Sequence, residues 1–416
     1  VAAVPGGVPP ETELLAVLKK SLYERTRRLD PTQTLELIQH LKEWVAEEVT
    51  FEEGAAASLG RLLSELSFSQ FVDQLPPLMN SFERLVSAYF VRRGSVSGFY
   101  SFCNVWRERL IRRTLLLAEE GLELNDLGRP PAPYALLASG MAGRREQTLE
   151  DASRYFLIWN GDPADYFNQF AYRILAILQQ CSLIGRNAAD FLGKVLWRGS
   201  YGDWECWVAG DDGIASDEPS RRLELLADLR FIAGDHGVGE QALRQAQATL
   251  ERARGTEAYQ SMAQRAIGAD LALTIAGNVR LERSGVHAGC VDLTAHAMRP
   301  LVSLVRFLAV QHGLEAAPTA GRIEALEAIG ALEEDLARAL SDAHDLFGTL
   351  KIRKEIALQP PYVDPAELTP AEQQRLRAGL ESVRRLQKAT RRVLATQKRK
   401  PAEVLRVALT EQAEVG

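Results

Sequence analysis

The sequence predicts an α+β fold that is mostly helical, with a small mixed-sheet unit set between two helical regions. Three observations carry this. Apolar residues recur at three- and four-residue spacing over most of the chain. Two short apolar runs of strand length, 134–138 and 155–159, flank a Gly-containing turn near the middle. A stiff connector of Gly128, Pro130, Pro131 and Pro133 separates these runs from the helices before them. At 416 residues the chain exceeds one ordinary core. The expected division is a helical region over 1–127, a mixed-sheet domain over 128–240 and a helical bundle over 241–416.

In order along the chain, the opening VAAVPGGVPPETE has the Pro and Gly content of a loose tail and lacks the basic start and apolar run of a leader. Leu14, Leu15, Leu18 and Leu22 then share helical spacing. Asp30 before Pro31 makes a helix start, and Leu35, Ile38, Leu41 and Val45 mark the next stripe expected to be buried. Further helices are expected over 55–66, 79–91 and 100–120, and stripes that must cover one another imply a bundle. Past the connector, helical period returns over 163–181, and 229–232 reads as one more strand. From about residue 239 the pattern is helical again. Leu301, Leu304, Val305 and Leu308 form one stripe, and Leu332, Leu336, Leu340, Phe347 and Leu350 a longer one. A last helix over 365–396 turns Val383, Leu386, Val393 and Leu394 inward.

A formal charge of −6 gives no general attraction for nucleic acid or an anionic membrane. No apolar run reaches bilayer length, and the longest, 301–310, is interrupted by Arg306. Neither kind of partner is expected. Cys103, Cys181, Cys206 and Cys290 are scattered without metal or disulfide spacing, which fits the reduced thiols of a cytoplasmic protein. The six histidines do not cluster with acids or cysteines, so no triad is indicated. Gly234, Gly237 and Gly239 lack the strand-first order of a dinucleotide fingerprint. Residues 384–400 carry eight basic residues and no acid. They read as the solvated side of an amphipathic helix, with a docking face for an acidic partner or nucleic acid as the other reading.

The chemistry-bearing stretch is 128–159. Its frame is Pro130, Pro131 and Tyr134, then Gly140, Met141, Ala142, Gly143, Arg144, Arg145, Glu146, Gln147, Thr148 and Leu149 before the second strand. Further along stand Trp197, Arg198, Gly199 and Ser200 with Trp204 and Trp207, then Asp228, Leu229 and Arg230 followed by Gly234 and Asp235. In the C-terminal part follow Val291, Asp292, Leu293, Pro300, Leu301, Arg306, His312, Gly313, Thr319, Gly321 and Arg322. This ordered series resembles the bacterial nucleotidyltransferase family DUF294. That family is related to the nucleotidyltransferase domain of protein-PII uridylyltransferase and is of the polymerase-beta type.

The resemblance implies a nucleoside triphosphate cradled at Gly140, Gly143 and Arg144, because backbone N–H groups at such a turn point at an anion. It also implies two aspartates at alternate positions of the second strand, on one face, holding Mg²⁺ with a third carboxylate at Asp228. The C-terminal bundle would serve the substrate. Here the ungapped positions of the two aspartates are Ala152 and Arg154, and Met141 stands where the family has serine. Shifting by one residue offers Asp151 but sets Ser153 at the second position. Neither register restores two acids.

The expected function is therefore a catalytically impaired relative acting as a regulatory or interaction module in signal transduction. It would bind a nucleotide or a signalling protein partner. The alternative is an active Mg²⁺-dependent enzyme with Glu150, Asp151 and Asp228 as replacement ligands. Several residues also have structural readings. Arg144 is either a phosphate contact or a salt-bridged arginine, and Asp228 either a metal ligand or part of a structural ion pair. Arg154 either pairs with Asp228 or faces solvent. Trp197, Trp204 and Trp207 are expected mostly to pack rather than stack a base, and Asp162 and Asp165 to serve a turn and helix cap.

Overall fold

The computed structural model describes residues 31–150, 153–181, 196–210, 218–315 and 318–397. The chain forms two compact units, residues 1–60 and 61–416. In the first, the described residues belong to helix α1 (Pro31–Phe68). Asp30 of the Asp-Pro start signal lies outside the described residues, and the expected buried stripe does not form. Leu35 is 67% and Ile38 40% exposed, and Leu41 and Val45 are only half-buried. Periodicity marks the apolar face of a helix without supplying something to cover it. Leu14, Leu15, Leu18 and Leu22 lie outside the described residues.

In the second unit, α2 (Leu75–Arg93) and α3 (Val96–Glu123) are joined by a tight link. Gly94, at φ 62°, ends α2 in the left-handed conformation that a side chain resists, and the Ser95 hydroxyl accepts the Gly98 N–H to begin α3. The pair is locked where Trp106 stacks on Phe82 at 4.7 Å.

The sheet region runs β1 (Tyr134–Ser139), α4 (Met141–Arg144), β2 (Arg154–Trp159), α5 (Ala164–Gln180), β3 (Leu196–Ser200), α6 (Tyr201–Ala209), α7 (Pro219–Ala227) and β4 (Arg230–Gly234). Strand order is β3-β2-β1-β4. β1 is antiparallel to β2 and β4, whereas β2 and β3 are parallel, so the sheet is mixed. Every residue of β1 is buried, because both faces are covered. Side-chain alternation divides the strands between two layers. Tyr134 and Trp159 meet α5 through Phe167 and Phe170, with ring centroids 4.8–5.8 Å apart. On the other face, Ala135, Leu137, Phe156 and Ile158 join one continuous core with Trp204, Trp207 and the C-terminal helices. Trp204 and Trp207 are fully buried and stacked at 5.3 Å, as the packing reading requires.

Beyond β4 come α8 (His236–Ala253), α9 (Glu257–Gly268), β5 (Val291–Asp292), a π-turn (Thr294–Met298), α10 (Arg299–His312), α11 (Thr319–Ala328), α12 (Glu334–Ile356), β6 (Tyr362–Val363) and α13 (Pro370–Gln397). β5 and β6 form a small antiparallel ladder. Leu301, Leu304, Val305 and Leu308 are buried on α10, and Leu336, Leu340, Phe347 and Leu350 on α12. Val383 and Leu386 face inward on α13, while Val393 and Leu394 are half-buried. Each fully buried apolar side chain contributes roughly 1.5–3 kcal/mol. No helix among the described residues is long and apolar enough to cross a membrane.

Candidate functional site

The β1–β2 connection is set by backbone constraint. Gly140 has φ 74° and ψ −135°, a region open in practice to glycine alone, and turns the chain from β1 into the single turn of α4. At Gly143 a Cβ would stand 1.7 Å from the carbonyl oxygen of Asp228, so this backbone touches the chain before β4. The Ala142 N–H donates to Ser153 Oγ at 2.8 Å, tying α4 to the start of the second strand.

Past α4 the chain is clamped from two sides. From α3, Asn104 donates to the Arg145 carbonyl, and Arg107 donates to the carbonyls of Thr148 and Leu149 at 3.1 and 2.6 Å. From α12, Glu355 accepts the Leu149 N–H at 3.1 Å and pairs with Lys351, whose ammonium also donates to Thr148 Oγ1 at 3.0 Å.

At the centre stands Asp228, directly after α7 and only 2% exposed. Arg144 reaches its Oδ2 at 2.6 Å, Arg306 reaches Oδ2 through Nη2 at 2.7 Å, and Arg322 reaches Oδ1 at 2.7 Å. Arg144 also donates through Nε to Glu146 at 2.7 Å, and Glu146 accepts the Thr319 N–H at 2.6 Å. Burial alone would raise the Asp228 pKa, but Arg306, Arg144 and Arg322 overcome it and hold the carboxyl well below the usual carboxylate range. Glu146 is likewise held low, burial being outweighed chiefly by Arg144. One carboxylate thus joins α4, α10 and α11, with a second carboxylate behind it.

A cavity of about 930 Å³ opens beside this cluster. Gly140, Met141 and Arg144 line one wall, Arg221 and Glu224 of α7 another, and Arg299, Val302 and Arg306 of α10 a third.

Of the residues singled out from sequence, Gly140, Gly143, Arg144 and Asp228 converge on α4. Arg144 is salt-bridged to two carboxylates. Arg154 pairs with Ser139 in the sheet register, on the Phe156 face, and its guanidinium lies 5.5 Å from the Phe156 ring centroid. The arginines on Asp228 are instead Arg144, Arg306 and Arg322. Glu150 is exposed. Asp151 and Ala152 lie outside the described residues. Asp162 and Asp165 are exposed, in the turn before α5 and in its first turn.

Sequence reasoning did not unite Glu146, Arg306 and Arg322 with Asp228, because no spacing rule links four separate elements. Arg306 did carry a signal, as a charge inside an apolar helix stripe. For Mg²⁺ the described side chains are a poor fit. Both oxygens of Asp228 are engaged by guanidinium groups that repel a divalent cation, and no cluster of three or more His, Cys, Asp or Glu among the described residues is placed to hold a metal.

Two family models match the chain. Residues 80–211 match "Putative nucleotidyltransferase DUF294", and residues 256–394 match "Putative nucleotidyltransferase substrate binding domain". Among curated proteins none matches.

Proposed function

We propose, from the premise that this chain belongs to the DUF294 nucleotidyltransferase family, that it is a protein of the protein-PII uridylyltransferase type in which transfer chemistry is disabled. What remains is a regulatory or interaction module that binds a nucleotide or a signalling protein. Its free cysteines suit the reducing cytoplasm.

The observation that carries this reading is the cage of three arginines around Asp228. Nucleotidyl transfer needs an acceptor oxygen made nucleophilic and a pyrophosphate whose charge is neutralised as it leaves. In this enzyme class two metal ions held by carboxylates meet both needs. A carboxylate fixed between guanidinium groups does not serve as such a ligand. Nor does arginine replace the metal, since a guanidinium attracts phosphate but does not coordinate the acceptor oxygen and so lower its pKa. Arg154, on the strand where the family places an acid, supplies no carboxylate there.

The test is pyrophosphate release from each of the four nucleoside triphosphates with Mg²⁺ or Mn²⁺ and a PII-type acceptor protein, beside an active family member. The expected result is no release above background. Metal-dependent release that disappears in the variant Glu150→Ala/Asp151→Ala would overturn the reading and establish those acids as replacement ligands.

A further inference from the structure

We propose that the cavity beside α4 binds a phosphate-rich anion free of divalent metal, held at its rim by Arg221 and Arg299. This deepens the reading above, on which it rests for the absence of a working metal site, by naming what the same cavity takes.

The argument begins from the charges in the cavity wall. Every acid among its described lining residues already has a cation. Glu146 has Arg144 at 2.7 Å, Asp228 has its three arginines, Glu224 has Arg265 at 3.4 Å, and Asp270 has Arg280. Most of the lining cations are likewise committed, with Lys351 on Glu355 and Arg265 also on Glu218 at 2.7 Å. Arg221 and Arg299 are not. Both line the cavity, both are exposed, and neither has a carboxylate partner among the described residues. Among the described residues, two positive charges without a carboxylate partner therefore face a concavity whose other charges are matched.

Such an arrangement favours an anion, because field lines from unpaired cations concentrate in a cleft with low-dielectric walls. Guanidinium forks match phosphate oxygens in pairs, so phosphate is the ligand chemistry this pair of side chains recognises best. A volume of about 930 Å³ accommodates several linked phosphates or a whole nucleotide. Gly140 and Met141, from the turn between β1 and α4, form part of the same wall.

The metal-free state follows from the same charges. Mg²⁺ on a polyphosphate cancels the charge that Arg221 and Arg299 read, and the described residues of the wall offer no spare carboxylate to hold the ion. An active transferase has the opposite dependence, since there the metal bridges protein and phosphate.

Equilibrium dialysis of the full chain tests the assignment, using inorganic tripolyphosphate and each of ATP, GTP, CTP and UTP, with EDTA or with excess Mg²⁺. Tripolyphosphate or a nucleotide is expected to bind in EDTA and at least about tenfold more weakly with Mg²⁺. Arg221→Ala/Arg299→Ala should weaken it by roughly 10- to 100-fold, the value of one or two charge-assisted contacts. Arg375→Ala, exposed on α13 and outside the cavity wall, should leave it unchanged. Equal affinity for tripolyphosphate and nucleotide identifies the phosphates as the whole determinant, and tighter nucleotide binding adds a base contact; both support the proposal. Absence of binding to all five probes, tighter binding with Mg²⁺, or wild-type affinity in the double variant overturns it. Failure here leaves the disabled-transfer reading standing, whereas that reading falls on pyrophosphate release whatever the dialysis gives.

Discussion

Two sets of arginines, at the cavity wall and directly behind it, have opposite surroundings. Arg144, Arg306 and Arg322 are buried and converge on one carboxylate, whereas Arg221 and Arg299 are exposed and meet none among the described residues. Burying a guanidinium costs several kcal/mol in lost hydration, roughly, and only close pairing offsets it. The first set must therefore keep its partner to keep the fold. The second set stays hydrated and is bound by no such requirement. The side chain is the same in both, and burial with a full set of partners separates a structural charge from one available to a ligand.

The largest expected effect comes from breaking the first set. Asp228→Ala leaves three buried guanidinium groups without their shared carboxylate and should lower unfolding stability by about 3–5 kcal/mol. The urea midpoint measures it. A loss below about 1 kcal/mol would mean that water replaces the carboxylate, and the contrast between the two sets would collapse. Glu146→Gln should cost less, about 1–3 kcal/mol, because the amide oxygen still accepts the Thr319 N–H while Arg144 keeps Asp228.

How far this contrast could be read from sequence depends on the element. β1, β2 and β4 were legible as short apolar runs near turn residues. β3 was not, because Arg198 and Gly199 interrupt LWRGS, and a strand at a sheet edge needs no unbroken apolar run. The stripes on α10 and α12 were legible because each is buried by its neighbours. The α1 stripe had the same spacing, yet Leu35 and Ile38 are exposed. In the site, Gly140, Gly143, Arg144 and Asp228 could be named because a contiguous loop and one family position mark them. Their arrangement could not, since residues 144, 228, 306 and 322 meet only through tertiary packing. Arg306 was the one legible clue, because a charge within a buried helix face requires a buried partner. Nothing in the sequence distinguishes Arg221 or Arg299 from other surface arginines.

The pH dependence sharpens the comparison with a smaller effect. Asp228 and Glu146 are both held below the ordinary carboxylate range in the folded chain. As pH falls, the unfolded chain takes up these protons first. Their contribution is therefore fully present above the ordinary carboxylate pKa of about 4 and is lost as pH drops below it toward the folded values. Urea midpoints between pH 7 and pH 3 should fall more steeply for the wild type than for Asp228→Asn, which has no proton to take up at that position. Parallel slopes would show that Asp228 is not held in its charged form by the cluster.

The smallest effect is expected in the second set, and its smallness is what makes it informative. Arg221→Ala and Arg299→Ala, each alone, should change unfolding stability by no more than about 0.5 kcal/mol, as for surface side chains without partners. The melting temperature should stay within about a degree or two of wild type. In the double variant, removal of two mutually repelling cations should slightly stabilise the ligand-free chain, an effect that shrinks in high salt as the repulsion is screened. A destabilisation of 1 kcal/mol or more in either single variant would mean that its guanidinium is bonded in the folded chain. The two sets would then differ only in degree, and exposure in the cavity wall would no longer mark arginines kept for a ligand.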